Sequence, residues 1–569
     1  MFTLLGNLKH KSSKNDESKI PLKELKSGVN CLDDYIILNQ GDTFKIYDRV
    51  CDHNGGKIIS KDGKHICPMH RWEFDPLKGI YKNGIEKKEK KFEIHNNNII
   101  IEKIKETPYI TQSVKNSEIK IRFFNHAFLQ VETKDFKFAT DPWAIGPSFN
   151  TGWWLKYKTK SDWISELNSC NFIYISHNHP DHLHPLTLNK IRKDIPIIVP
   201  AYKTDCTGIY VESLGFKNVI RLELTKEYVF DNTNLILSIL KSGDFREDSG
   251  IYFSIGNFTS LFSVDTVMIN FNKLPNVDLF ASGFAGGASG YPLMYDNFNK
   301  KEQIAISENN RKFLLKKKTI MLKEIKPKYF LPYAGFFENK LQRDIKIKLM
   351  NKKNNISNYF KACKDIGSEI LNIENNDEFY FKDKKLLKKL SNKNSYFKDI
   401  PAENYLSFFK NSYQKIDNQY LKEYFSQSNF KDDLTLLVSL VDNNFENSEL
   451  DFEVDFCKAF PKFNVIKNFK FNKIKKNIKN RILYLKCRKE SFLNTIYNKE
   501  PWEDLSIGFQ CKVVREPNVY NAKFWYHFTN KYITKKNVRM VSECSNCESI
   551  NTFFDKELFL KEEKSQNKF

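Results

Sequence analysis

The chain has 569 residues, of which 41% are hydrophobic and 14% aromatic, so it is long enough for several domains that each bury a core. This composition excludes a disordered chain and a small scaffold held by disulfides. Lys plus Arg minus Asp plus Glu is 91 − 69, a net charge of +22, which attracts anionic partners but does not distinguish nucleic acid, acidic lipid and charged small molecules.

The N-terminal segment becomes charged after a few apolar residues, and the sequence has no apolar run long enough to span a bilayer. We therefore expect a cytoplasmic protein without a membrane partner. In that compartment the 11 cysteines are expected to be mostly reduced thiols or metal ligands. Only the basic charge favours a nucleic-acid-binding protein, so we expect no nucleic-acid partner.

The sequence divides into three segments. Short β-type runs separated by Gly, Asn and Asp predict a small antiparallel β domain at 1–107. From Pro108 onward β runs alternate with helix-like stretches, which predicts an α/β domain at 108–345. Residues 346–569 are richer in Lys, Asn and Phe, and we expect a mixed or mainly helical region there.

Two cysteines and two histidines in the first segment form a mixed pattern of C-x-H and C-x-x-H pairs. They are Cys51 with His53 and Cys67 with His70. Two thiolates and two imidazoles on two loops are the ligands of a Rieske [2Fe–2S] cluster, which transfers single electrons. A tetrahedral zinc site is the alternative, although zinc fingers carry C-x-x-C and H-x-x-x-H pairs instead. Neither loop has the further Cys of a bracing disulfide, as in the oxygenase and ferredoxin kind of Rieske domain.

A second cluster of ligand residues follows the buried β run 171–176. It reads H-x-H-x-D-H and consists of His177, His179, Asp181 and His182. Four such ligands at a strand end can hold two metal ions, with the first two histidines on one ion and the last two residues on the other. The motif is diagnostic of the metallo-β-lactamase fold, so we predict an α/β domain of the αββα sandwich type.

Further site residues are predicted around this motif. His126 and Asp141 stand in short motifs that fit the same fold, where such an Asp supports a ligand His, and we predict both as catalytic residues. Zinc hydrolases of this fold commonly complete the site with later histidines, but none occurs here between His184 and His527.

Carboxylates are therefore expected to complete the metal site. Asp244 and Asp265 each stand at the end of a β run, and we predict both as metal ligands, although a turn or cap residue explains Asp244 equally well. Carboxylate and imidazole together suit iron as well as zinc. A one-electron cluster in the same chain favours redox chemistry with dioxygen, because hydrolysis needs no electrons.

Beyond the metal motifs, the chain resembles the CMP-N-acetylneuraminate hydroxylases, or CMP-sialic acid monooxygenases, over about residues 25–530. The segments that carry the resemblance are Asp141–Leu155, Ser161–Trp163, Ile173–His177, Phe284–Pro292, Pro332–Phe336 and Trp502–Gln510, with Arg515, Pro517, Tyr520 and Phe524–Phe528.

The resemblance implies an oxidoreductase that hydroxylates the N-acetyl methyl of CMP-N-acetylneuraminate, or of a close nonulosonic-acid analogue, to N-glycolyl with O2 and two electrons. It implies a Rieske cluster on the four Cys and His residues named above, and one or two non-haem irons in a site that includes His177, His179, Asp181 and His182. The electrons would come from a small carrier, a ferredoxin or cytochrome b5-like protein, with its reductase. If the two centres of one chain lie too far apart, a homo-oligomer is expected to bring them together.

The alternative function is a zinc phosphodiesterase or other hydrolase of the metallo-β-lactamase fold with a redox-sensing Rieske domain.

The glycine-rich segment Phe284–Pro292 is expected either to bring backbone N–H groups close to a substrate anion or to form a tight turn. The basic stretch Lys467–Lys489 is predicted as a helix with one solvated face, and docking of an acidic electron carrier there is a second interpretation. Cys544 and Cys547 are interpreted as two ordinary thiols.

Overall fold

The structure is a computed structural model that describes residues 1–7, 18–32, 35–49, 51, 58–67, 72–82, 86–101, 118–202, 204–242, 247–266, 269, 274, 276–391, 395–458 and 460–531. The predictions for His53, His70, Asp244, Cys544 and Cys547 lie outside the described residues.

The first part of the chain forms small antiparallel sheets. The strand β1 (Phe2–Asn7) belongs to a larger sheet described below. The small sheets consist of β2 (Ser18–Pro21), β3 (Gly28–Cys31), β4 (Tyr35–Asn39), β5 (Phe44–Asp48), β6 (Ile59–Lys61), β7 (Lys64–Ile66), β8 (Glu73–Asp75), β9 (Ile80–Tyr81), β10 (Phe92–His95) and β11 (Asn98–Ile101). The pairing orders are β10-β11-β2, β3-β4-β5 and β6-β7-β8-β9. Short strands with tight turns between them agree with the predicted small β domain.

The middle part alternates strands and helices. Its strands are β12 (Ile119–Asn125), β13 (Phe128–Glu132), β14 (Lys137–Thr140), β15 (Pro147–Ser148), β16 (Trp153–Leu155), β17 (Phe172–Tyr174), β18 (Ile197–Pro200), β19 (Val219–Leu222), β20 (Lys226–Phe230), β21 (Leu235–Lys241), β22 (Ser249–Ile255), β23 (Phe258–Phe262), β24 (Leu279–Gly283), β25 (Tyr329–Tyr333), β26 (Phe337–Glu338), β27 (Glu369–Ile370), β28 (Glu378–Lys382) and β29 (Lys385–Leu390). Its helices are α1 (Trp163–Asn168), α2 (Pro185–Leu188), α3 (Cys206–Ser213), α4 (Lys300–Ile325), α5 (Ile345–Met350) and α6 (Phe360–Asp365).

Two sheets of eight strands each, counted over the described residues, pack face to face in this part. One has the order β1-β20-β21-β22-β23-β24-β25-β27 and the other β19-β18-β17-β14-β13-β12-β28-β29. Ile121 and Leu129 of one sheet share a buried core with Leu237 and Phe253 of the other. Helices α1, α2 and α3 contribute to a separate core on the outer face of the second sheet, and α4 and α6 join the first core. The predicted αββα sandwich is confirmed.

Strands from outside the predicted range 108–345 complete these sheets. β1, near the N-terminus, pairs with β20, and β27 pairs with β25. β28 pairs with β12, so the sandwich includes residues up to 390.

The last described part of the chain is mixed, with one sheet of order β32-β31-β30-β33-β34 and several helices. Its elements are α7 (Ala402–Ser412), α8 (Asn418–Ser426), β30 (Leu434–Val441), β31 (Ser448–Asp455), β32 (Lys462–Val465), α9 (Phe471–Ile474), β33 (Arg481–Arg488), α10 (Lys489–Tyr497), α11 (Glu503–Ile507), β34 (Cys511–Glu516) and α12 (Ala522–Tyr526). All eight residues of β30 are buried, as expected for a central strand covered on both faces. No helix in the described ranges has both the length and the apolar character required to cross a membrane.

The prediction of one helix over Lys467–Lys489 is wrong. Only the short α9 is α-helical there, and most of the second half is β33, which lies between β30 and β34. Leu483 and Leu485 of this strand join the core of the last sheet. Tertiary pairing therefore overrides the amphipathic pattern that suggested a solvated helix.

Candidate metal centres

The two described ligands of the predicted Rieske cluster lie in one buried apolar environment. Cys51 and Cys67 are each 2% exposed and belong to a core with Ile58, Trp72 and Phe74. Cys67 follows β7 directly, and its backbone N–H donates to the carbonyl of Trp72 at 2.8 Å. Two buried thiols in one apolar environment fit the requirements of an iron–sulfur cluster.

The second candidate centre lies where parallel strands of one sheet end together. β14 and β17 are parallel neighbours, so Asp141 and Ser176 follow them at the same edge. The Asp141 carboxylate accepts the backbone N–H and the hydroxyl of Ser176, each at 2.7 Å. These bonds fix the start of the loop that carries His177 to His182.

Seven buried or partly buried side chains converge at this edge. Within each of three groups the ligand atoms lie within 4.8 Å of one another: His177, His179 and Asp248; His126, Asp181 and His182; and His177, His182 and Asp265. His177 Nε2 lies 2.9 Å from His179 Nδ1, and His126 Nε2 lies 3.1 Å from Asp181 Oδ2. The third group connects the other two, which is the arrangement required for two neighbouring metal ions.

Hydrogen bonds outside this cluster orient two of its imidazoles. Asp141 Oδ2 lies 3.0 Å from His182 Nδ1, and the Ser176 hydroxyl lies 2.9 Å from His177 Nδ1. Each ring is held through Nδ1, so its Nε2 is directed to the centre. A carboxylate behind a ligand imidazole fixes the ring and raises its basicity.

The electrostatics of the centre favour a bound cation. Burial lowers the pKa of His182, but Asp181, Asp265 and Asp141 raise it more, so its pKa lies well above the usual value. Burial raises the pKa of Asp181, yet His182 and His126 hold it well below its usual range. The carboxylates around His182 therefore stabilise positive charge at this position.

Asp181 Oδ1 and His182 Nε2 are buried ligand atoms that have no hydrogen-bond partner among the described residues. The nearest carboxylate oxygens to His182 Nε2 belong to Asp181, at 3.4 Å, and Asp265, at 3.6 Å. A buried polar atom without a partner is costly, and a metal ion would satisfy both. The residues present therefore fit a metal centre.

The predicted second-site residues are brought together with the exception of Asp244, which the structure does not describe. Asp265 joins the cluster from the end of β23, and His126 joins it from the turn between β12 and β13. Asp141 lies behind His182 rather than among the three ligand groups. Their roles as ligands and catalytic residues stay predictions.

Sequence reasoning missed Asp248, which lies next to β22 and joins His177 and His179. It stands four residues after Asp244 in the sequence, and its place directly before a buried strand is the signal that could have identified it.

Sequence reasoning also missed Glu503, which comes from the last part of the chain. Its Oε2 lies 3.4 Å from His179 Nε2, and its Oε1 accepts the Tyr520 hydroxyl at 3.2 Å. The Glu503 backbone N–H donates to the Thr529 hydroxyl, and Asn178 donates to the Thr529 carbonyl, each at 3.1 Å. Glu503 and Tyr520 both lie in segments that carried the family resemblance. The C-terminal region therefore contacts the metal-site loop directly.

Comparisons with known proteins agree with the predicted Rieske domain and with the family resemblance. The sequence profile of the Rieske [2Fe-2S] domain matches residues 15–95. The cytidine monophosphate-N-acetylneuraminic acid hydroxylase of Macaca mulatta is 28% identical, and the match covers 93% of this chain and 95% of that protein. The resemblance predicted from the sequence is confirmed. The proteins of the same name from Mus musculus and Xenopus laevis are 27% and 28% identical, and each match covers 90% of this chain.

Solved structures are similar to part of the chain. CmlA, a diiron β-hydroxylase from Streptomyces venezuelae, matches 47% of this chain and 54% of its own, with 14% identity and a TM-score of 0.32. Igni18, a metallo hydrolase from Ignicoccus hospitalis, matches 46% of this chain and 98% of its own, with 12% identity and a TM-score of 0.32.

Proposed function

We propose that the protein is a Rieske-dependent iron monooxygenase that hydroxylates the N-acetyl group of CMP-N-acetylneuraminate, or of a close nonulosonic-acid analogue, to N-glycolyl. The observation that carries this proposal is the donor set. Each of the three ligand groups consists of two imidazoles and one carboxylate, the set used by non-haem iron oxygenases. The Rieske match supplies a source of single electrons, which a hydrolase does not need.

The relatives support the substrate class. Their name specifies hydroxylation of cytidine monophosphate-N-acetylneuraminic acid, and the similarity extends over about nine tenths of both chains. The methyl group of an N-acetyl substituent is neither acidic nor electrophilic, so acid–base or nucleophilic catalysis does not functionalise it. When bound, iron would supply dioxygen activation and the [2Fe–2S] cluster would supply electrons.

The chain's own residues position the metal ligands and keep water out. Asp141 and the Ser176 hydroxyl hold two ligand imidazoles from behind. Aromatic rings lie beside two other imidazoles of the centre. Between ring centroids, Trp143 lies 5.3 Å from His126 and Phe149 lies 6.0 Å from His179. Such an apolar surround limits side reactions of a reactive oxidant with water.

A Rieske cluster needs a one-electron donor. We propose a small carrier, a ferredoxin or cytochrome b5-like protein, with its reductase, in the cytoplasm. Docking of an acidic carrier fits the net charge of +22. Assembly into a homo-oligomer remains the proposal for bringing the cluster of one chain to the iron of another.

The test is metal analysis with electron paramagnetic resonance on protein purified without oxygen, followed by oxygen consumption with CMP-N-acetylneuraminate and a reductant. We expect a Rieske signal, more iron than the cluster contains, and substrate-dependent oxygen uptake. Replacement of His177 by Ala should abolish uptake and remove the additional iron while the Rieske signal persists. His95, an exposed histidine on β10, provides the matched control His95→Ala, which should change neither. Zinc in the second centre, or turnover without oxygen and reductant, would contradict the proposal.

A further inference from the structure

A cavity of about 310 Å³ lies beside the second metal centre, between the loop that follows β25 and the segment around α5. Three phenylalanines and three lysines contribute to its walls: Phe284, Phe336, Phe337, Lys156, Lys348 and Lys353. Its volume is at the lower end of the range for small-molecule sites, about 300 to 1,000 Å³. Aromatic walls with a few cationic groups suit a planar ring attached to an anion.

The charges on the cavity wall favour an anion. The wall carries three lysines and two glutamates, a net charge of +1. Lys156 pairs with Glu374 and Lys348 pairs with Glu338, each at 3.0 Å. Within the described residues, Lys353 has no carboxylate oxygen within 4 Å.

The ammonium group of Lys353 is held at the cavity wall by an uncharged contact. Its Nζ donates to the Phe337 carbonyl at 2.5 Å. Burial, together with the positive charges of Lys156 and Lys348, lowers the pKa of Lys353 well below its usual value. An anionic group in the cavity would stabilise the charged form of this side chain.

The glycine-rich segment predicted from the sequence forms part of the same site. Phe284 lines the cavity, and Gly287, with φ +73°, accepts a hydrogen bond from Asn351 at its carbonyl, 2.9 Å away. A Cβ at Gly287 would lie 2.6 Å from Asn351 Oδ1 and 3.2 Å from Lys353 Cγ. The positive φ at Gly287 favours glycine, and the side chains of Asn351 and Lys353 pack beside it.

Phe337 connects the cavity to the metal centre. Its ring lies 6.0 Å from the His126 ring and 3.5 Å from the Trp153 ring, between centroids, and its carbonyl holds Lys353. His126 in turn lies 3.1 Å from Asp181. A ligand in the cavity would therefore be separated from the metal ligands by the Phe337 side chain. One elongated substrate can extend past a single side chain.

We propose that this cavity binds the nucleoside monophosphate part of a nucleotide-activated sugar, with Lys353 facing the phosphate and Phe284 and Phe336 contacting the base, because Trp153 and Lys353 already cover the Phe337 ring. The identity of the nucleotide rests on the proposed function. The sugar would extend past Phe337 to the metal centre. A phosphodiester carries one negative charge, which matches the net charge of the wall.

The test is calorimetric binding of CMP, cytidine and inorganic phosphate to the full-length protein and to Lys353→Gln. Lys352→Gln is the matched control, because Lys352 is exposed, does not line the cavity and carries the same charge. Lys353→Gln should weaken CMP binding at least about tenfold and leave cytidine binding unchanged, because only the charged contact is lost. It should raise KM for the nucleotide sugar with little change in kcat. Lys353→Arg should retain most of the affinity, and Lys348→Gln should cause a smaller loss.

The outcomes separate this inference from the proposed function. If CMP binds the wild type, Lys353→Gln and Lys352→Gln equally, the cavity assignment is wrong, while oxygen-dependent turnover would still support the proposed function. If the wild type binds neither CMP nor the nucleotide sugar and shows no turnover, the proposed substrate is wrong and the cavity assignment fails with it. His177→Ala should lose turnover and keep CMP binding, which would place the nucleotide contacts outside the metal centre.

Discussion

Replacement of Glu503 by Gln tests whether the C-terminal region contributes to the second metal centre. The Glu503 carboxylate lies 3.4 Å from His179 Nε2, on the side of the ring opposite Nδ1, which faces His177 Nε2 at 2.9 Å. Burial lowers the pKa of His179, but Glu503 and Asp248 raise it more, and the net shift is upward. Glu503→Gln keeps the side-chain shape and removes the charge that makes this imidazole a stronger ligand.

The expected loss follows from the kind of contact. Removing an outer carboxylate behind a ligand histidine costs about 10- to 100-fold in metal affinity. The 3.4 Å separation is longer than a strong charge-assisted hydrogen bond, so we expect the lower end, about tenfold or 1.4 kcal/mol. The Tyr520 hydroxyl can still donate to the Gln side-chain oxygen, so the fold should be retained.

The assay is competition of the purified protein with a chelator for Fe(II), measured as iron retained in excess of the Rieske cluster. The matched control is Glu516→Gln, because Glu516 lies in the same region but pairs with Lys475 in a partly exposed ion pair at 2.8 Å. Glu516→Gln should not change iron retention. If Glu503→Gln retains iron as tightly as the control, with an unchanged melting temperature, the outer carboxylate does not act on the metal site and the reasoning is refuted.

Two further predictions concern stability. Burial raises the pKa of Glu500, which accepts a hydrogen bond from Tyr210, to about 7. The stability contributed by its protonated form is therefore lost as pH rises from about 4.5 to about 7. Glu500→Gln should reduce the fall in melting temperature between about pH 5 and pH 8, and an unchanged fall would contradict this reasoning. Arg488 pairs with Asp344 at 2.8 Å with both side chains 1% exposed, so Arg488→Ala should destabilise by about 3–5 kcal/mol in thermal unfolding. Lys489 pairs with Glu449 in a partly exposed ion pair, so Lys489→Ala should lower the free energy of unfolding by no more than about 1 kcal/mol. Equal losses for Arg488→Ala and Lys489→Ala would contradict the argument that burial determines the cost.

The sequence predicts the parts of the centre that are close together along the chain. His177 to His182 are close together in the sequence and follow a buried strand, so one motif predicts both the candidate ligands and the fold. Asp265 was predicted from its place at a strand end, which is the edge where it lies in the structure.

Other features depend on contacts that local patterns do not encode. Asp244 and Asp248 are four residues apart, and the sequence pattern alone does not predict that Asp248 lies beside His177 and His179. Glu503 is 324 residues from His179, and only tertiary packing brings them together. The helix predicted for Lys467–Lys489 fails for the same reason, because pairing with β30 and β34 makes β33 a strand.

The contacts of Thr529 with Asn178 and Glu503 have a consequence for biogenesis. The loop with most of the metal ligands is synthesised some 350 residues before the hydroxyl and carbonyl that hold its outer side. A ribosome-bound chain that ends before Glu503 lacks the carboxylate beside His179 Nε2, and one that ends before Thr529 lacks the contacts that hold Glu503 and Asn178. Iron acquired by such a nascent chain would be held weakly, so tight loading of the second centre is a late event that follows translation of the C-terminal region.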